Sequence, residues 1–543
     1  MTTPAWQQKV QAKQAEALAK IPAEWRLPAA LLATASPISP ENVLSIPRKS
    51  GLLSSRELAI TETADATTLL AQLADGTYTA VEVTTAFSKR AAIAQQLTNC
   101  LTETMFDQAH ARAKELDRHL ATTGQPVGPL HGLPVSVKDM FHVAGVASTL
   151  GYVAFLDRPV QKANTPLVDV LLAAGAIIYV KTNVPQTLMT ADSHNNVFGR
   201  VLNPHRRTLT AGGSSGGEGA LVALRGSLLG VATDIAGSIR IPAHCCGLVG
   251  FKPSMGRVPH AGVMSPSVAG YLSGISPVIG PICHSVRDAN LFMKTVCDVP
   301  PYDFDDAALG IPWAVSDQNE GEKLRIGLFT AHPGLPLHPN IARNLHRAAD
   351  KLAAAGHGVV DITTQFPDME DGNEIAFGLF GLDADRTALS HLDAAGEPHV
   401  PSVGIVNGSN TTNPAPTLRD LFRLTARKAE ITAQTRRVFV EKKLDVILAP
   451  AYQSCALPHD TYSHAWYTVF WNLVDRPSCV LPFGRSDAAA DREWFRQDAV
   501  YRPPYRPEEV EGAPCHVQLV GRRLREEVLA RQAELVEAVL RND

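Results

Sequence analysis

The chain has 543 residues, 45% hydrophobic and 19% charged, which is enough to bury a large core and excludes a disordered or fibrous protein. A net charge of −4 and an isoelectric point near 6.5 supply no electrostatic footprint for nucleic acid or anionic lipid, so pairs such as Arg206-Arg207 and Arg522-Arg523 read as solvated surface. The eight cysteines are scattered and form no metal-type Cys-x-x-Cys pair, so they read as buried free thiols and no metal is expected. The amino terminus lacks the apolar core of a signal peptide, and no run approaches the roughly 18 apolar residues of a membrane span. A cytoplasmic, reducing location is therefore expected, and the sequons Asn407-Gly408-Ser409 and Asn410-Thr411-Thr412 read as polar loop.

In chain order, residues 6–21 predict a helix ending at Pro22, followed by a Pro- and Ser-rich arm through Ile46-Pro47-Arg48, so residues 1–60 form a helix and extended arm ahead of a body over 61–543. Helical spacing recurs at Thr67 to Leu73, Val81 to Leu97 and Ala109 to Leu120. Leu133 to Lys138 predicts a short buried strand, Pro166 to Ala174 a helix, and Ala176 to Val180 a second strand, which together make a βαβ unit. Leu324 to Phe329 and Leu444 to Leu448 predict further strands, and Leu524 to Val539 an amphipathic terminal helix. The expectation is an α/β fold with a mixed, twisted central sheet covered by helices on both faces. Residues 363–420, with Gly, Asn and Pro clusters around Phe377, Phe380 and 407–416, read as irregular substrate loops.

The chemistry concentrates between Ala211 and Lys252, within a motif region over 130–300, where two glycine-flanked serine loops surround a short helix. The first loop is Gly212-Gly213-Ser214-Ser215-Gly216-Gly217, the second Asp234-Ile235-Ala236-Gly237-Ser238-Ile239-Arg240. A phosphate cradle is disfavoured because Glu218 stands where a Walker loop needs Lys, and no strand precedes the loop. A nucleophile elbow matches formally at Ser215, but it needs a feeding strand and a histidine that nothing singles out; His244 reads as structural or pocket-lining. A third reading uses both loops and a lysine.

On that reading Gly212 to Glu218, Thr233 to Arg240 and Gly250-Phe251-Lys252-Pro253-Ser254 closely resemble the amidase signature family, including a separation of 24 residues between Ser214 and Ser238. Pro134 to Asp139 resembles the family's lysine strand, and Lys181 to Gln186 its substrate-channel segment; the likeness runs from about residue 60 onward and is nearest in texture to fungal acetamidase-like members. The resemblance implies a Ser-Ser-Lys triad with Ser238 as nucleophile, Ser214 as bridging serine after a cis Gly213-Ser214 bond, and Lys138 as base. Such a lysine must be neutral, and bringing its pKa from about 10.4 to near 7 disfavours the ammonium by roughly 4.6 kcal/mol, which burial beside Val135 and Val137 supplies. The amides of Ile235, Ala236, Gly237 and Ser238 would form the oxyanion hole, although Ala236 stands where the family usually has glycine.

Leu188 and Met189, together with Ser214, would contact substrate, and Ser215, Asp234 and Arg240 would support the site from behind, the last two either holding the loops in register or forming an ordinary buried ion pair. The activity implied is hydrolysis of a small-molecule carboxylic amide through an acyl-serine, with no cofactor, no nucleic acid and no membrane span, and with a homodimer left open. Two rivals stand beside it: the A-type subunit of a glutamine-dependent tRNA amidotransferase, and a non-catalytic binding protein on the same fold.

Overall fold

Thirteen strands organise the computed structural model, which describes residues 4–33, 41–268, 270, 274–314, 323–407 and 415–541. They are β1 (Leu101–Thr104), β2 (Pro134–Lys138), β3 (Ile177–Thr182), β4 (His194–Asn195), β5 (Gly199–Arg200), β6 (Leu229–Asp234), β7 (Val249–Lys252), β8 (Val278–Cys283), β9 (Arg325–Leu328), β10 (Gly358–Asp361), β11 (Val446–Ala449), β12 (Ser478–Arg485) and β13 (Pro514–Val520). Eleven of them make one mixed sheet in the order β1-β3-β2-β6-β8-β7-β12-β13-β11-β9-β10, while β4 and β5 pair as a small ribbon. The sheet is flanked by helices, as the alternation of strand and helix patterns predicts.

The strand Pro134-Val135-Ser136-Val137-Lys138 is buried along its whole length, the near-continuous apolar run of a parallel strand covered on both faces. It pairs in parallel with both β3 and β6. The carboxyl ends of these three strands therefore share one edge, where Lys138, Thr182 and Asp234 lie. Ligands in open α/β sheets bind outside the carboxyl ends of strands, so this edge is where a site belongs.

The predicted helices form with caps that the sequence spells out. Ala80–Thr98 begins with a Thr79/Glu82 capping box and ends at Asn99, whose φ of +56° closes it in the left-handed region. The amino-terminal helix Ala5–Ala19 lies against edge strand β1, where Lys13 and Lys20 pair with Glu103 at 2.5 and 2.8 Å and blunt an otherwise open sheet edge. The arm is not extended throughout: Ile46–Lys49 is a helical turn with Ile46 and Pro47 buried.

Residues 363–420 depart most from expectation, because the region is largely helical, with Met369–Phe380, Thr387–Ala395 and Pro401–Asn407; residues 408–414, and with them most of the 407–416 loop and its sequons, lie outside the described residues. Glycines read as loop punctuation are packing positions. A methyl group at Gly372 would sit 2.6 Å from the Phe470 ring, and one at Gly378 would sit 2.9 Å from Leu424, so each lets a neighbouring helix approach closely. The terminal helix runs Glu526–Arg541, and among the described residues no helix is long and apolar enough to cross a membrane.

Candidate active site

Three residues from separate elements form one continuous chain of polar atoms. Lys138 Nζ, at the end of β2, lies 2.8 Å from Ser214 Oγ, which lies 2.9 Å from Ser238 Oγ. Ser214 stands just before the helix Gly216–Ala223 and Ser238 follows the end of β6, whose pairing with β2 sets Lys138 beside the second loop. The Gly213-Ser214 peptide bond is cis. Lys138 is fully buried, and burial pulls its ammonium down to about 7 against the opposing charge of Asp234. Near neutrality it therefore exists in part as a free amine, able to accept a proton from the hydroxyl beside it.

The lysine has a second partner that the motif reading left without a role. Thr233 Oγ1 lies 2.9 Å from Nζ and donates in turn to the Met140 sulfur at 3.3 Å. A neutral amine has two protons and one lone pair, so with one proton given to Thr233 the lone pair remains available to Ser214.

The second serine loop is wound around Asp234. Its carboxylate accepts from the amides of Gly237 (2.9 Å) and Ile239 (3.2 Å), from Arg240 Nε and Nη2 (both 3.0 Å), and from Asn472 Nδ2 (2.8 Å). Burial alone would raise this carboxyl, but the charge and hydrogen bonds of Arg240 outweigh it and hold it at about 2. Arg240 also reaches Gln518 and Asn472. Asp234 and Arg240 thus form a buried ion pair that anchors the second loop to downstream elements; among the described residues neither side chain bonds to residues 212–217, so the pair does not tie the two loops together. Asp234→Ala strands the buried guanidinium and is expected to cost about 3–5 kcal/mol, read as a fall in the denaturant midpoint.

The same bonding corrects the expected oxyanion hole. Gly237 N–H is taken by Asp234, so it does not face the pocket, whereas the amides of Ile235, Ala236 and Ser238 meet no acceptor among the described residues. Gly237 carries the positive φ, +130°, and a methyl group there would lie 2.3 Å from Thr468 Oγ1. Ala236 is not among the positive-φ residues, so alanine costs the loop nothing in backbone strain, and its carbonyl accepts from Thr468 Oγ1 at 2.7 Å.

Ser215, expected to support the site, is fully buried but its hydroxyl has no hydrogen-bond partner among the described residues, so it does not reach the serine-lysine chain. His244 is buried 3.0 Å from Tyr462 Oη and packed on His516, with burial lowering its pKa well below the usual value; it is structural, as expected.

Ser238 opens onto a cavity of about 40 Å³ lined by Leu188, Met189, Ile235, Ile241, Phe377 and His464 among others. Leu188 and Met189 stand on its wall, whereas Ser214 does not, lying behind Ser238. Thr187 and Leu188 hold φ values of +68° and +62°, strain of order 1–3 kcal/mol each in the turn that brings Leu188 and Met189 to the cavity. Phe377 and His464, in edge contact at 4.7 Å, come from two stretches that the sequence reads as pocket loops, 363–420 and 462–472, without giving either residue a role of its own.

The model of the amidase family matches residues 82–530. An amidase of Gibberella moniliformis is 39% identical over 538 residues, covering 99% of both chains. An acetamidase of Emericella nidulans is 38% identical over 558 residues, covering 99% of this chain and 98% of its own. Among solved structures, a fatty acid amide hydrolase superposes with a TM-score of 0.91 at 29% identity, covering 99% of this chain and 96% of that one. The chain belongs to the amidase signature family of amide-bond hydrolases.

Proposed function

We propose that this enzyme hydrolyses small, unsubstituted carboxylic amides through an acyl-Ser238 intermediate, with Ser214 as proton relay and Lys138 as base. The observation that carries the reading is the unbroken path from Lys138 Nζ through Ser214 Oγ to Ser238 Oγ, ending at a pocket. Ser238 Oγ attacks the amide carbonyl as its proton passes to Ser214 Oγ, while the proton of Ser214 passes to Lys138. The oxygen of the tetrahedral intermediate is met by free amides among Ile235, Ala236 and Ser238. Collapse returns a proton through Ser214 to the departing nitrogen, and water then repeats the sequence on the acyl-serine to release the carboxylate.

The size of the acyl group follows from the cavity. About 40 Å³ is small beside the roughly 300–1,000 Å³ of pockets for drug-sized ligands, and its wall of Leu188, Met189, Ile241 and Phe377 offers apolar contact to a short chain. Two relatives at 38% and 35% identity are named acetamidases, which agrees with this reading. The test is ammonia release across amides of increasing acyl length. We expect kcat/KM to peak at acyl groups of a few carbons and to fall at least tenfold for long acyl chains; equal or rising rates with long acyl chains would overturn the size assignment. Action of the purified chain alone on simple amides would also exclude the glutamine-dependent amidotransferase subunit.

A further inference from the structure

The mechanism leaves one buried ionisable group beside the triad unused. Glu218 lies one helical turn beyond Ser214, fully buried, and its carboxyl reaches Ser136 Oγ at 2.5 Å and Thr182 Oγ1 at 2.9 Å. Ser136 and Lys138 are alternate residues of β2, so their side chains leave the same face of the strand. The carboxyl thus sits under the lysine, between β2 and β3. Space for it is made by Gly230 on β6, where a methyl group would lie 2.2 Å from Glu218 Oε2.

What this carboxyl lacks is a counter-ion. It makes no ion pair among the described residues, and Lys138 Nζ is already engaged by Ser214 and Thr233. Two hydroxyls are half the complement that the roughly four lone-pair sites of a carboxylate call for, but they suit a neutral acid, which donates once and accepts once. An isolated buried carboxylate protonates rather than bear the desolvation cost. Burial accordingly pushes Glu218 up to about 8 against the pull of Ser136, Thr182 and Lys138.

We propose that Glu218 is a positioning residue that works as a neutral acid: it ties Ser136 and Thr182 together beneath Lys138 and, carrying no charge, lets the lysine give up its proton. An ionised carboxyl at this point would hold the ammonium in place and remove the base at neutral pH. The other titratable groups that feel Glu218 are Cys100 ahead of β1, which burial pushes up to about 12, and Tyr179 on β3, which burial pushes well above its ordinary value; Asp234 acts on Lys138 from the end of β6. Cys100 and Tyr179 stay neutral throughout, so the proton balance of the cluster lies between Glu218 and Lys138.

The inference rests on Lys138 serving as base, and its test is the pH profile of Ser238 labelling by a fluorophosphonate. Glu218→Gln keeps a donor and an acceptor without charge; it is expected to hold the acid-side midpoint within about 0.3 of wild type and the rate within about threefold. Glu218→Leu strands both hydroxyls and is expected to slow labelling at least tenfold at the same midpoint. A Glu218→Gln midpoint lower by about one pH unit would overturn the proposal, since it would mean that a carboxylate had been holding the lysine's proton. Should that variant not fold, infrared titration of the wild type decides: a protonated-carboxyl C=O band lost only above about pH 7 supports the proposal, and its absence at neutral pH overturns it. Failure of the wild type to label would instead count against the nucleophile assignment, and the infrared result would still judge Glu218.

Discussion

Ser238→Ala is expected to lower amide hydrolysis by a factor on the order of 10⁴ or more, with fluorophosphonate labelling lost and the fold retained. The size of the effect follows from covalent catalysis: without Oγ no acyl-enzyme forms, and Ser214, displaced from the cavity wall behind Ser238, has no carbonyl within reach to replace it. A residual rate comes from the remaining amides and from binding alone. The check is ammonia release by the two proteins in parallel, with matching circular dichroism and unfolding midpoints. Retention of more than about a tenth of wild-type activity in clean protein would remove Ser238 from the mechanism.

Lys138→Ala is the second large effect, and pH separates it from the first. In the wild type kcat/KM is expected to rise with pH through about 7, as the buried ammonium loses its proton and becomes able to accept one. The variant should lose about 10²–10⁴-fold at neutral pH and lack that limb, with the deficit narrowing in alkali as hydroxide takes over as base. Stability should move in the opposite direction. The unfolded chain keeps the lysine's proton up to about 10.5, whereas the folded chain releases it near 7, so between those values the unfolded state binds more protons. The lysine's burden on folding is therefore full below pH 7 and fades as pH rises to 10.5. Lys138→Met, which fills the site without charge, is expected to be inactive and more stable than wild type at neutral pH, a gain that disappears in alkali.

The sequence carried the elements nearest the chemistry most clearly. Pro134 to Lys138 is a strand within a residue of its expected bounds because an unbroken buried run has no helical alternative of that length. Lys138, Ser214 and Ser238 were singled out through the resemblance of their three segments to the amidase signature family, which loop spacing alone would not have done. The direction of individual amides was not legible. Whether Gly237 N–H faces substrate or Asp234 depends on a carboxylate whose other partners, Arg240 and Asn472, are settled only in three dimensions.

Helices at 369–380 and 387–395 were hidden because glycine looks the same in a sequence whether it bends a loop or admits an aromatic ring, as Gly372 does for Phe470. Glu218 was visible as the residue that spoiled a phosphate loop and as the end of a family-like run, with no role attached. Its position against Ser136 and Thr182 arises from strand pairing, to which a local motif is blind.

The anchoring of the nucleophile loop bears on when the enzyme becomes competent during synthesis. Lys138, Ser214 and Ser238 all emerge in the first half of translation, yet Arg240 finds Asn472 and Gln518 only 232 and 278 residues later. Strand β7 likewise waits for β12 before its open side is paired. A nascent chain therefore holds its three reactive groups long before it holds the contacts that shape the loop around Ser238, and contacts of such long range form late in folding. Ser238 comes under full tertiary control only when the carboxy-terminal strands dock, so a ribosome-stalled fragment ending before residue 472 would hold the three side chains without the geometry around them.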